Sequence, residues 1–439
     1  MSIVAGVLAT ADRGHILRAL SSFANKAPDQ WCPTGHPASD GQLPRGWKQV
    51  LALPPMQVVE AVAASAPNHC IDGWSYASRA LSALLAGDAH AARHLAYYAQ
   101  LRAGLSILAN LGVGIFNRTN FVVTATGVIA RLDQPPAKKT SGPGMGTHDI
   151  VWEALKEWAT EVQTSRIFLN LVKIRGISLK ECLDSIWPGI PASGAATALI
   201  EAWGVDLKRG KDEHVYRNIS SYSPQAMNPL GLTAPAGLRF VEGFWALFEP
   251  TAGASFDNLD RFLLRSLLLK QHRTVSLNQN YSQGAIATRY QELPASIKAL
   301  ANVEFLTNAQ QPRNPELLQH ANSAAKPAQP TEMLARAFLL LRVATAFTHS
   351  SFVEAGVSCA TGDLRPWIDP WAEARGFWAP GNALAEPTDL WVDVELAMIE
   401  FVESLDPEPN SLNDWMTRTL KGLPTICEAE RIGVWSLCA

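Results

Sequence analysis

Leu95, Tyr98, Leu101, Leu105, Leu108 and Leu111 recur at steps of three and four, the period that puts side chains on one face of a helix. A second run, TEMLARAFLLLRVATAFTHSSFVEAG, is the longest apolar helix of the chain, predicted from a cap at Thr331 to a stop at Gly356. Further helices are predicted over 55–66 and 75–86, from Thr147 in THDIVWEALKEWATEV, and in NLDRFLLRSLLLKQH, LWVDVELAMIEFVESL and SLNDWMTRTLKGL. Only NFVVTATGVIARL, with β-branched residues on both sides of Thr126-Gly127, reads as a short hairpin. The pattern predicts a mainly α protein: a helical bundle with a small β-hairpin and a second helical region.

Between these runs lie breakers. KAPDQWCPTGHPASDGQLPRGW, from Lys26 to Trp47, is too rich in Pro and Gly to hold a helix. DQPPAKKTSGPGMGTHD reads as an exposed connection, and DLKRGKDEHVYRNISSYSPQAMNPLG as a surface loop with short helical pieces. The polar residues of His90–Phe116 read as the wet edge of a bundle helix. Three regions follow: an irregular N-terminal arm and first helix at 1–70, a helical domain at 71–230, and a C-terminal helical domain with Trp-rich loops at 231–439.

With 439 residues, 47% hydrophobic and 18% charged, the chain can bury a large core, which excludes disorder as its main state. A net charge of −3 offers no global basic field for nucleic acid or anionic membrane. The six cysteines, Cys32, Cys70, Cys182, Cys359, Cys427 and Cys438, form no CxxC pair and no zinc-ligand spacing, which suits a reducing compartment. No basic segment or cleavage site marks a leader, and no window holds about 20 uninterrupted apolar residues. The expectation is a cytoplasmic protein with no membrane partner, no cofactor and no metal site.

Strong catalytic signatures are missing: no phosphate loop, no GxGxxG after a strand, no HExxH and no GxSxG elbow. Asp184 with Asp206-Leu-Lys208 would suit a Mg²⁺-dependent nuclease only if a strand lay under the DxK, and the preceding ALIEAWG reads as a helix end.

Three stretches carry a family resemblance. HLAYYAQLRAGLSILANLGVGIF, GTHDIVWEAL and YRNISSYSP, in that order within Ser75–Pro224, resemble the YaaC-like branch of HEPN-type helical domains. The resemblance implies a helical bundle found in prokaryotic stress or antiviral defence settings. It also implies that catalytic members cleave RNA without metal through Arg-x(4–6)-His. Arg93, Arg102 and Arg217 lack a histidine at that spacing, whereas Arg342 with His349 and Arg313 with His320 have one. Pairs at this spacing are no more than chance supplies. Arg342 and His349 would share a helix face about 10 Å apart, so that two protomers could bring four groups around one phosphodiester. The alternative is structural: Arg342 pairs with a carboxylate and His349 donates to a loop.

The functional expectation is a non-catalytic binding or assembly subunit of a bacterial multi-protein system for antiviral defence or stress response. Its expected partners are other protein subunits and nucleic acid, contacted through Arg102, His148, Arg217, Asn218, Tyr222, Trp367, Trp371 and Trp378. The alternatives are a homodimeric, metal-independent ribonuclease using Arg342 and His349, and the Mg²⁺-dependent nuclease.

Overall fold

Two long helices joined by a tight turn form the spine: α1 (Pro55–Leu85) and α2 (Ala89–Asn110). Gly87, at φ +81, makes the turn, and the Asp88 carboxylate caps α2 by accepting from the Ala91 N–H at 2.9 Å. The computed structural model describes residues 3–133, 144–160, 169–170, 173–186, 207–226, 234–251, 256–275, 283–307, 314–407 and 409–438. After α2 comes an antiparallel sheet of β1 (Val113–Phe116), β2 (Thr119–Val123) and β3 (Ile129–Arg131), in that spatial order. Val113 faces Val122, and Val122 faces Ala130. The helices that follow and matter below are α3 (Thr147–Trp158), α4 (Gly210–Tyr222), α5 (Asp257–Val275), α6 (Pro330–Glu354), α7 (Arg365–Arg375), α8 (Leu390–Glu403) and α9 (Glu430–Cys438).

The apolar helix predicted from Thr331 is α6, which is shorter than α1, is capped by Gln329 instead of Thr331, and lies against both spine helices. A side chain on Gly73 would put its Cβ 2.5 Å from Leu341, so glycine lets α1 and α6 approach closely. Most polar groups in this apolar contact are paired. Trp74 Nε1 donates to Thr345 Oγ1 at 2.9 Å, Gln100 Nε2 to the Met333 carbonyl at 2.8 Å, and Asn110 Nδ2 to Thr348 Oγ1 at 3.1 Å. The fold is mainly α with small antiparallel sheets, as the periodicity predicts. Among the described residues no helix is long and apolar enough to cross a membrane.

Several expectations are corrected. The helices predicted at 55–66 and 75–86 are one, with Pro67 inside it and the expected 70/71 boundary within its span. Pro67 removes the donor for the Ala63 carbonyl, yet Val62, Ala66, Cys70 and Trp74 on either side are all buried, and that packing carries the helix through. The N-terminal arm carries short helices and sends Ile16, Leu20, Phe23, Trp31 and Val50 into the same core. VGIF is strand, because Gly112 at φ +85 ends α2 against the Asp12 carbonyl, where a Cβ would sit 2.5 Å away. Nor does α2 have a wet edge over most of its length: Arg93, Gln100, Ser106 and Asn110 are all buried, with hydrogen bonds that make their burial tolerable. The polar segment after Lys208 is the regular helix α4. Its buried residues, Gly210, Glu213, Arg217 and Ser220, keep the helical period but are not apolar.

Candidate functional site

α2, α3 and α4 meet around a cluster of histidine, tyrosine and arginine side chains. α2 supplies His94, Tyr97 and Tyr98, which its three- and four-residue steps place on one side. α3 supplies His148 from its first turn and Trp152 one turn later. α4 supplies His214, Arg217, Asn218 and Ser221, again on one face. Gly210 lets α4 start against Trp152, since a Cβ there would meet the indole at 2.2 Å. The imidazoles of His148 and His214 stack with centroids 4.5 Å apart and planes 9° apart, and each lies 5.6 Å from the Tyr97 ring. The Arg217 guanidinium lies 4.7 Å from the centre of Tyr98, which stacks in turn on Tyr76 of α1 at 5.3 Å.

Hydrogen bonds set the protons. Trp152 Nε1 donates to Tyr97 Oη at 3.3 Å, leaving the phenol proton for His148 Nδ1 at 3.1 Å. His148 is then the tautomer with its proton on Nε2. Ser221 Oγ donates to the Arg217 carbonyl, so in its 2.6 Å contact with His94 Nδ1 the imidazole is the donor. Burial, the neighbouring His214 and the Arg217 charge hold His148 down to about 4, against a smaller opposing pull from Asp149. Burial and Arg217 also lower His214 and His94. Burial pushes the Tyr97 phenol well up. At neutral pH the cluster therefore holds neutral imidazoles around one fixed positive charge.

That charge is unbalanced. Arg217 is only 6% exposed, yet among the described residues no carboxylate lies within ion-pair distance of it. It donates to Asn218 Oδ1 at 2.6 Å and to Tyr98 Oη, and its Nε–H is buried without an acceptor. Two other buried arginines differ in their counter-charge: Arg336 pairs with Glu213, and Arg342 with Asp260. An uncompensated guanidinium beside N–H and O–H donors, with His94, Tyr98, His148 and His214 partly exposed, has the chemistry of an anion site.

The Arg342–His349 pair is structural. Arg342 donates to Asp260 of α5 at 2.9 Å and lies over Phe256 at 4.9 Å, which takes it out of reach of a substrate. Burial lowers His349, and its ring meets the backbone of Leu437 and Ser436 in α9. Arg313 lies outside the described residues, and His320 sits 3.8 Å from Glu316. Of the predicted binding residues, His148, Arg217 and Asn218 come together in the cleft. Tyr222 does not join them; it is 78% exposed at the end of α4. Arg102, one turn beyond Tyr98, donates to His69 Nδ1 at 2.8 Å and pairs with Asp72 at 3.5 Å, and burial with the Arg102 charge holds His69 down to about 3. Trp367 and Trp371 line a separate groove of about 530 Å³ with Asp29, Asp72, Pro366 and Pro370, while Trp378 is buried. For the Mg²⁺ reading, Asp184 pairs with Lys180, Leu207–Arg209 is a 3-10 turn where a strand is required, and Asp206 and the Lys208 side chain lie outside the described residues. Among the described residues no group of three His, Cys, Asp or Glu side chains is placed to hold a metal.

His214 and the contacts of Tyr97 and Tyr98 were not assigned from sequence. Once DLKRGKDEHVYRNISSY is read as a helix, His214 falls on the Arg217–Asn218–Ser221 face. The cluster draws on three stretches far apart in the sequence, in α2, α3 and α4. Comparison with known proteins returned no matching family model, no matching curated protein and no matching solved structure.

Proposed function

We propose that this chain is a non-catalytic binding subunit of a bacterial multi-protein system, of the defence or stress kind that the resemblance implies. In this reading the α2–α3–α4 cleft holds the phosphodiester backbone of single-stranded RNA. The observation that carries the reading is Arg217, a buried cation with no carboxylate among the described residues. A phosphate would supply the missing counter-charge, with neutral imidazole N–H groups and tyrosine rings beside it for phosphate and base.

The unliganded chain is set up for binding: at neutral pH His148, at about 4, carries no proton to give as a general acid until a bound anion raises it. The ribonuclease alternative has one specific observation behind it, the stacked His148–His214 pair beside the Tyr97 hydroxyl, and it would now use that pair instead of Arg342 and His349. One experiment separates them: labelled single-stranded RNA with the pure protein in EDTA, beside Arg217→Met and His148→Ala. Retention of intact RNA, weakened at least about tenfold in Arg217→Met, is expected. EDTA-resistant cleavage lost in His148→Ala overturns the non-catalytic reading, and undiminished retention by Arg217→Met overturns the cleft.

A further inference from the structure

α8 is apolar on two sides. Leu390, Val394, Ala397 and Phe401 are buried, while Val392, Leu396, Ile399 and Val402 are 40% to 57% exposed. The exposed four follow one another at steps of four, three and three, which lines them up as a stripe about 15 Å long. Single exposed apolar residues are ordinary, but four on one 14-residue helix form a contiguous patch. The helix beneath is anchored: Trp391 lies 5.9 Å from Trp245 and 6.3 Å from Trp435.

The stripe is set among acidic residues. On the helical wheel Asp393 and Glu400 fall along one side, Glu395 falls between Ile399 and Val402, and Glu403 between Val392 and Leu396. α8 contains no lysine or arginine. Asp393 is engaged by Arg431 at 2.8 Å, whereas Glu395, Glu400 and Glu403 have no ion-pair partner among the described residues. An apolar stripe interleaved with and flanked by carboxylates selects its occupant by charge. A second copy packed through the same face about a two-fold axis would set these carboxylates against their own counterparts. An anionic lipid surface is repelled for the same reason.

We propose that this face docks an amphipathic helix of a partner protein whose apolar seam is flanked by lysine or arginine. The site stands apart from the RNA-binding reading, and each can fail without the other.

The test uses two fluorescent synthetic helical peptides with the same leucine seam, one flanked by lysines and one by glutamates, titrated against the full chain by anisotropy. The lysine-flanked peptide is expected to bind and to weaken as salt is raised. Leu396→Asp, at an exposed position, should weaken it at least about tenfold. The triple variant Glu395→Lys, Glu400→Lys, Glu403→Lys should reverse the preference in favour of the glutamate-flanked peptide, with retention of labelled RNA unchanged. Equal binding of both peptides, binding of neither, or a wild-type dimer that Leu396→Asp splits overturns the proposal.

Discussion

Arg342 and Arg217 are both buried arginines on helices, and both lie over aromatic rings, at 4.9 Å from Phe256 and 4.7 Å from Tyr98. What differs is the counter-charge. α5 brings Asp260 to 2.9 Å from Arg342, and the pair is shut inside the core. Around Arg217 the described residues offer tyrosine, asparagine and neutral histidine, several of them partly exposed. A charge closed off with its partner serves the fold; a charge left uncompensated beside an opening is available to a ligand.

The strongest way to break this comparison is Arg342→Met. It leaves Asp260 buried and unpaired, and should cost about 3–5 kcal/mol of unfolding free energy, read from denaturant midpoints. A variant in which stability hardly changes would show that the pair is not the internal match described. Next in size, Gly210→Ala should cost about 1–3 kcal/mol, because the new Cβ must push the Trp152 indole aside. It should weaken RNA retention as well, since α4 carries Arg217.

Acid should sharpen the contrast further. His148, at about 4, and His69, at about 3, are depressed below the 6.5 of a free imidazole, so between pH 6.5 and 4 the unfolded chain takes up protons that the folded one refuses. The contribution of these two histidines to stability is therefore flat above pH 6.5 and falls as pH drops towards 4. His148→Gln should flatten part of that slope, as midpoints at a series of pH values would show. Anion binding has the opposite sign: a bound phosphate favours imidazolium, so RNA affinity should rise as pH falls from 7 towards 5.5.

Smaller still is the effect of Arg217→Met on stability, within about 1 kcal/mol, because no carboxylate is orphaned and a desolvated charge is removed. Its loss of ligand should be large, and that divergence between stability and binding is the signature separating it from Arg342→Met. Tyr222→Ala, at a 78% exposed position, should change neither quantity.

Much of the fold was legible because its helices bury apolar faces. α6, the start of α3 at Thr147 and the hairpin through Gly127 all follow from periodicity and turn chemistry. α4 was not, because the residues it buries are Gly210, Glu213, Arg217 and Ser220, and a hydrophobic period cannot register a polar face. α2 misled for a related reason: Arg93, Gln100 and Asn110 look like a solvated edge until Ala328, Met333 and Thr348 arrive from more than two hundred residues away to bond them. In the cleft, His148, Arg217 and Asn218 could be named singly. Their convergence with His214 and Tyr97 depends on three helices packing together, which no local spacing encodes. The seven-residue step from Arg342 to His349 shows the converse, a regular spacing without a shared site.

The most direct test of the account is the histidine ring resonances of ¹³C-labelled protein, titrated with pH in the presence and absence of single-stranded RNA. The account predicts that His148 and His214 titrate below the free-imidazole range in the unliganded chain, rise when RNA is added, and stay put in Arg217→Met. Imidazoles that ignore RNA, or that respond equally without Arg217, would contradict it.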